Sequence, residues 1–129
     1  MISPVLYVAD VERSFAFYTE KLGAMPGGKC IGNDGKTICA VVQLGGARVS
    51  FQAAPPGQQP YSPMEFQVNL DPEVNMQRLY TDLRIRGVFM FHDLEESAWD
   101  ERMFGVKDPD GFRWRFVSRM PNFRFNEVA

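Results

Sequence analysis

One order of elements runs through this chain twice, and few folds are open to a chain built that way. From residue 2 to residue 8 the side chains are short, β-branched or aromatic, and Asp10 follows with Glu12 in the next turn, the pattern of a strand passing into an N-capped helix. Val11, Phe15, Tyr18 and Leu22 recur at helical spacing, and Gly23 supplies a stop. Residues 29–32, 37–44 and 47–52, separated by Asn33-Asp34-Gly35 and Gly45-Gly46, read as three short strands. The order then returns. Residues 64–70 form a strand with Met64, Phe66, Val68 and Leu70 toward the core. Asp71 caps a helix with Pro72 at its first position, and Met76, Leu79, Tyr80 and Leu83 share its apolar face. Gly87 ends that helix, and strands follow over 88–92, 102–107 and 112–117, the last two joined by the turn Asp108-Pro109-Asp110-Gly111.

Asp10 and Asp71 hold matching places, so the repeat is about 61 residues, too long for a solenoid and right for a duplicated half-domain. The expected organisation is one domain over 1–129: a βαβββ module over 1–53, a proline-rich connector over 54–63, a second module over 64–119 and a tail over 120–129. A four-stranded sheet with one helix leaves a face bare. The predicted class is therefore α+β, with two tandem βαβββ modules forming curved mixed sheets around a shared cavity.

Composition narrows the function classes. With 45% apolar residues over 129 positions the chain can bury its own core, because a domain of this size hides roughly two thirds of its unfolded surface. Disorder, collagen-like repeats and coiled coil are excluded. The net charge of -2, without any basic stripe, points away from nucleic acid. Apolar runs such as 38–44 fall far short of the roughly 18 to 20 residues of a membrane span. Met1-Ile2-Ser3-Pro4 lacks the basic-then-apolar layout of a secretion signal, so a cytoplasmic location is expected. Two cysteines, not spaced as CxxC, support neither a zinc site nor a thioredoxin-type site. If Asp34-Gly35 makes a two-residue hairpin turn, residues whose numbers sum to 69 face each other, and Cys30 and Cys39 become cross-strand neighbours, expected to be reduced in the cytosol.

Two segments carry a family resemblance. Val8-Ala9-Asp10-Val11-Glu12-Arg13-Ser14-Phe15-Ala16-Phe17-Tyr18, with Leu22-Gly23 after it, resembles the opening of vicinal oxygen chelate proteins, the superfamily of glyoxalases, bleomycin resistance proteins and extradiol dioxygenases. Residues 104–116, Phe-Gly-Val-Lys-Asp-Pro-Asp-Gly-Phe-Arg-Trp-Arg-Phe, resemble its closing motif. Metal-dependent members hold a divalent ion with His and Glu ligands, one from each of four strands. The resemblance puts those positions on Ser3, Ser50, Glu65 and Arg115. Neutral hydroxyls are poor ligands and a guanidinium repels cations, so no metal and no cofactor are expected. His92 is the sole histidine, too little for a two-His-one-carboxylate iron site.

Strand alternation indicates what lines the cavity instead. Ser3, Val5 and Tyr7 fall on one face of the first strand, and Arg48, Ser50 and Gln52 on that of the fourth. Glu65, Gln67 and Asn69 follow on the fifth, and Arg113 and Arg115 on the last. Glu65 and Arg115 are expected to pair across the cup. Trp99, among the acids Glu95, Glu96, Asp100 and Glu101, could close over a ligand. The expected ligand-binding set is Ser3, Tyr7, Ser50, Gln52, Glu65, Gln67, Trp99, Arg113 and Arg115, with Glu65 and His92 as candidate catalytic bases. Phe123 and Phe125 in the tail should dock on the domain or on a second subunit.

The resemblance implies a homodimer that sequesters a small organic molecule without metal, as bleomycin-type resistance proteins do. The acids beside Trp99 suit a cationic ligand and the paired arginines an anion. A lyase, isomerase or dioxygenase with an atypical metal site, or with Glu65 or His92 as base, is the enzymatic alternative. A subunit whose cavity is filled by its own side chains is a third.

Overall fold

The computed structural model describes residues 2–58, 64–96 and 101–119. Strand β1 (Val5–Val8) leads into helix α1 (Val11–Ala16), followed by β2 (Met25–Ile31), β3 (Thr37–Leu44) and β4 (Ala47–Ala53). The second half repeats this with β5 (Glu65–Leu70), α2 (Met76–Ile85), β6 (Phe89–Glu96), β7 (Glu101–Lys107) and β8 (Arg113–Arg119). Each half forms its own mixed sheet, ordered β1-β4-β3-β2 and β5-β8-β7-β6, with β1 parallel to β4 and β5 parallel to β8. Among the described residues no helix is long and apolar enough to cross a membrane.

Local chemistry explains most boundaries. The Asp10 carboxylate accepts from the Arg13 amide and caps α1. The helix then widens into a π-helical turn over Phe17–Lys21, where the Leu22 amide donates to the Phe17 carbonyl at 3.2 Å. That extra residue per turn lets the consecutive Phe17 and Tyr18 both enter the core, together with Ser14. Phe15, expected inside, is only partly buried, with the Lys29 ammonium 4.4 Å from its ring centre. Gly23 stops the helix at φ +76°.

The second half departs from its expected cap. Asp71 organises a preceding turn, accepting from the amides of Glu73 and Val74, and Asn75 caps α2 by accepting from the Arg78 amide. Met64, expected inside, precedes β5 and is 60% exposed. Residues 93–96, left between the expected strands over 88–92 and 102–107, extend β6, and the pairing of β6 with β7 absorbs two register shifts.

The first hairpin reaches its predicted register by another route. Its turn is Asn33-Asp34-Gly35, closed by the Gly32 amide on the Lys36 carbonyl at 2.7 Å, and this pairs Ile31 with Thr37. A bulge at Ile38 then restores the offset, and Cys30 faces Cys39. The Gly45-Gly46 turn needs no such correction. Both residues have positive φ, +58° and +81°, as a two-residue hairpin requires.

The helix-side faces of the two sheets share one core. Tyr18 lies 4.8 Å from Phe51 of the first sheet and 5.7 Å from Trp114 of the second, ring centre to ring centre. Its hydroxyl donates to Asp108 and accepts from the Trp114 indole, each at 2.6 Å. Asp110 latches the same turn to the start of α1, accepting from the Ala9 amide, the Ser14 hydroxyl and the Arg13 guanidinium.

Candidate functional site

With Leu6, Val8, Val49 and Phe51 committed to the core, alternation turns Val5, Tyr7, Arg48, Ser50 and Gln52 to the open face of the first sheet. Register then orders them in rows. Tyr7 on β1 lies beside Gln52 on β4, which lies opposite Cys39 on β3, which faces Cys30 on edge strand β2. The adjoining row runs Val5, Ser50, Val41 and Gly28. Ser3 is exposed, two residues before Val5.

On the second sheet Val68, Trp114, Phe116, Phe104 and Val106 are buried on the helix side. The open face carries one row of Glu65, Arg113, Lys107 and Phe89, and another of Gln67, Arg115, Gly105 and His92. Gly105 has a reason to be glycine, because a Cβ there would fall on the Phe91 ring. The expected ion pair exists, but within one sheet rather than across a cup: Arg115 Nη2 lies 2.9 Å from Glu65 Oε2, and Arg113 Nη1 lies 3.8 Å from Oε1. Gln67 donates to Asn69 at 2.9 Å.

This donor set does not fit a divalent ion. Glu65, the one anionic ligand the resemblance offers, is bracketed by two guanidiniums, so a cation approaching it meets two fixed positive charges. Among the described residues no group of three or more His, Cys, Asp and Glu side chains gathers elsewhere. His92 is also occupied. Its Nδ1 lies 2.8 Å from the Asp93 carbonyl and its Nε2 3.3 Å from Glu95.

Ser3, Tyr7, Ser50 and Gln52 thus gather on one sheet, and Glu65, Gln67, Arg113 and Arg115 on the other. No hydrogen bond or ion pair among the described residues joins the two sets. Trp99, Asp100, Phe123 and Phe125 lie outside the described residues. The sequence reading missed the cysteines as members of the open face. The signal was present, since residues summing to 91 face each other across Gly45-Gly46, which sets Cys39 opposite Gln52.

Comparison with known proteins agrees with this architecture. The family profile described as "Glyoxalase/Bleomycin resistance protein/Dioxygenase superfamily" matches residues 2–116. A glyoxalase/bleomycin resistance protein/dioxygenase from Nocardioides is 21% identical, with a TM-score of 0.73 over 100% of this chain and 89% of its own. TioX from Micromonospora sp. ML1 is 16% identical, also at 0.73, over 100% and 98%. A glyoxalase-related enzyme from Fulvimarina pelagi is 18% identical at 0.70, over 100% and 99%. At these identities the likeness is one of fold. No curated protein matches the sequence significantly.

Proposed function

The chain belongs to the Glyoxalase/Bleomycin resistance protein/Dioxygenase superfamily, and from that premise we propose that it is a cytoplasmic, metal-free binding protein. It acts as a homodimer and sequesters a small organic molecule against its open sheet faces. One observation carries this reading: at the family's ligand positions Arg115 engages Glu65 at 2.9 Å, where a metal site needs that carboxylate free. In the two rows nearest Glu65, Lys107, Arg113 and Arg115 outweigh that carboxylate, which favours a ligand bearing an anionic group there. Polar groups of both sheets converge on one ligand when a second copy sets its Glu65, Gln67, Arg113 and Arg115 against Tyr7, Ser50 and Gln52 of the first. A single chain turns both faces away from its shared core.

The enzymatic alternative has weaker support. Glu65 is held by guanidiniums and both His92 nitrogens already have partners, so neither is a ready base. Native mass spectrometry of the full chain from its own host provides the test. The expected species is a dimer that retains an organic molecule and no divalent ion. A monomer, or a dimer carrying a transition metal on every chain, would refute the proposal.

A further inference from the structure

The two cysteines were absorbed by no part of the functional reading, yet register sets them directly opposite one another on the open face of the first sheet. Opposed residues of an antiparallel pair have Cβ atoms about 4.5–5.5 Å apart, and a disulfide needs about 3.5–4.5 Å. The shortfall is small, and the backbone around Cys30 is suited to closing it. β2 is an edge strand, exposed along its length, and register shifts flank the segment on both sides, at Pro26/Gly28 and at Cys30/Ile31. Cys30 is exposed and Cys39 half-buried, so an oxidant reaches Cys30 first and finds a second thiol beside it. The neighbouring Cys30 side chain, with some burial, raises the pKa of Cys39 above the usual thiol value.

We propose that Cys30 and Cys39 form a reversible disulfide modification site, oxidised by a peroxide, on the sheet face that carries Tyr7 and Gln52. The Cys30 thiolate attacks a peroxide oxygen and breaks the O–O bond, giving a sulfenic acid and, from hydrogen peroxide, hydroxide that is protonated to water. The Cys39 thiol then attacks the Cys30 sulfur, forming the S–S bond and releasing the sulfenic oxygen as a second water. Two thiols and one hydrogen peroxide thus give one disulfide and two waters. Cys30 lies exposed on the edge strand, so thiol reductants reach the bridge and should reopen it. Oxidation exchanges two thiol donors for a donorless bridge in the row of Tyr7 and Gln52. The bridge itself requires no particular ligand.

Intact-mass and peptide mapping after hydrogen peroxide treatment and alkylation test this on the full chain. The wild type should lose two hydrogens, take up no alkylating agent and yield a Cys30–Cys39 linked peptide that dithiothreitol separates. Cys30→Ser and Cys39→Ser, each checked for native circular dichroism, should lack the linked peptide. Two alkylatable thiols after treatment, overoxidation of Cys30 without a crosslink, or bridges only between chains would overturn the proposal.

Discussion

Replacing Tyr18 by Phe is expected to lower the unfolding free energy by about 2–4 kcal/mol, because one deleted hydroxyl strands two buried groups. That hydroxyl donates to Asp108 and accepts from the Trp114 indole, and it lies at the junction of the two halves. Burial raises the Asp108 carboxyl above its ordinary pKa, and the Tyr18 hydrogen bond partly counters that rise. Burial likewise keeps the Tyr18 phenol protonated far above its usual range. Without the hydroxyl, Asp108 titrates higher still in the folded protein. A carboxyl with a raised folded pKa makes its most favourable contribution below its unfolded value and loses it as pH rises through the folded value. The penalty in Tyr18→Phe should therefore be largest near neutral pH and shrink as pH falls through the carboxylate range. Urea unfolding of wild type and variant at several pH values reads both the size and the slope. A penalty under about 0.5 kcal/mol at neutral pH would remove this junction from the forces holding the halves together.

Trp114→Ala should cost more, about 3–5 kcal/mol, the usual range for deleting a buried aromatic. The indole is 3% exposed and packs on Phe66 at 4.7 Å and on Tyr18 at 5.7 Å, ring centre to ring centre. It also stands between Arg113 and Arg115 on β8, so its packing fixes the strand that presents both guanidiniums. Domains of this kind have total stabilities of about 5–15 kcal/mol, so the variant needs measurement at low temperature and low denaturant. Trp114→Phe keeps much of the ring while losing the indole donor, and should fall between wild type and Trp114→Ala. Equal urea midpoints for wild type and Trp114→Ala would contradict the packing described.

The family and fold were legible because the residues that specify them act locally. Asp10 caps α1 through a carboxylate three residues from the amide it accepts from, and Gly45-Gly46 dictates its hairpin whatever surrounds it. Alternation alone placed Ser50, Gln52, Arg113 and Arg115 on open faces. Readings failed where two signals competed or where the periodicity itself changed. Asp71 and Asn75 are both competent caps, but Asp71 closes a turn on the amides of Glu73 and Val74, and the helix starts from Asn75. The π-helical turn that buries Tyr18 beside Phe17 leaves no mark in a 3.6-residue periodicity. Cys30 and Cys39 were matched as neighbours from the hairpin. Their place beside Gln52 and Tyr7 required a second hairpin and a parallel crossover to be combined.

Metal content is the most direct check on the reading of the site. After equilibration in turn with zinc, nickel and ferrous ions, then removal of unbound ion, elemental analysis of the wild-type chain should find far less than one ion per chain in every case. Retention of one ion per chain that chelator strips and Glu65→Ala abolishes would mean that Glu65 serves a metal despite the guanidinium beside it.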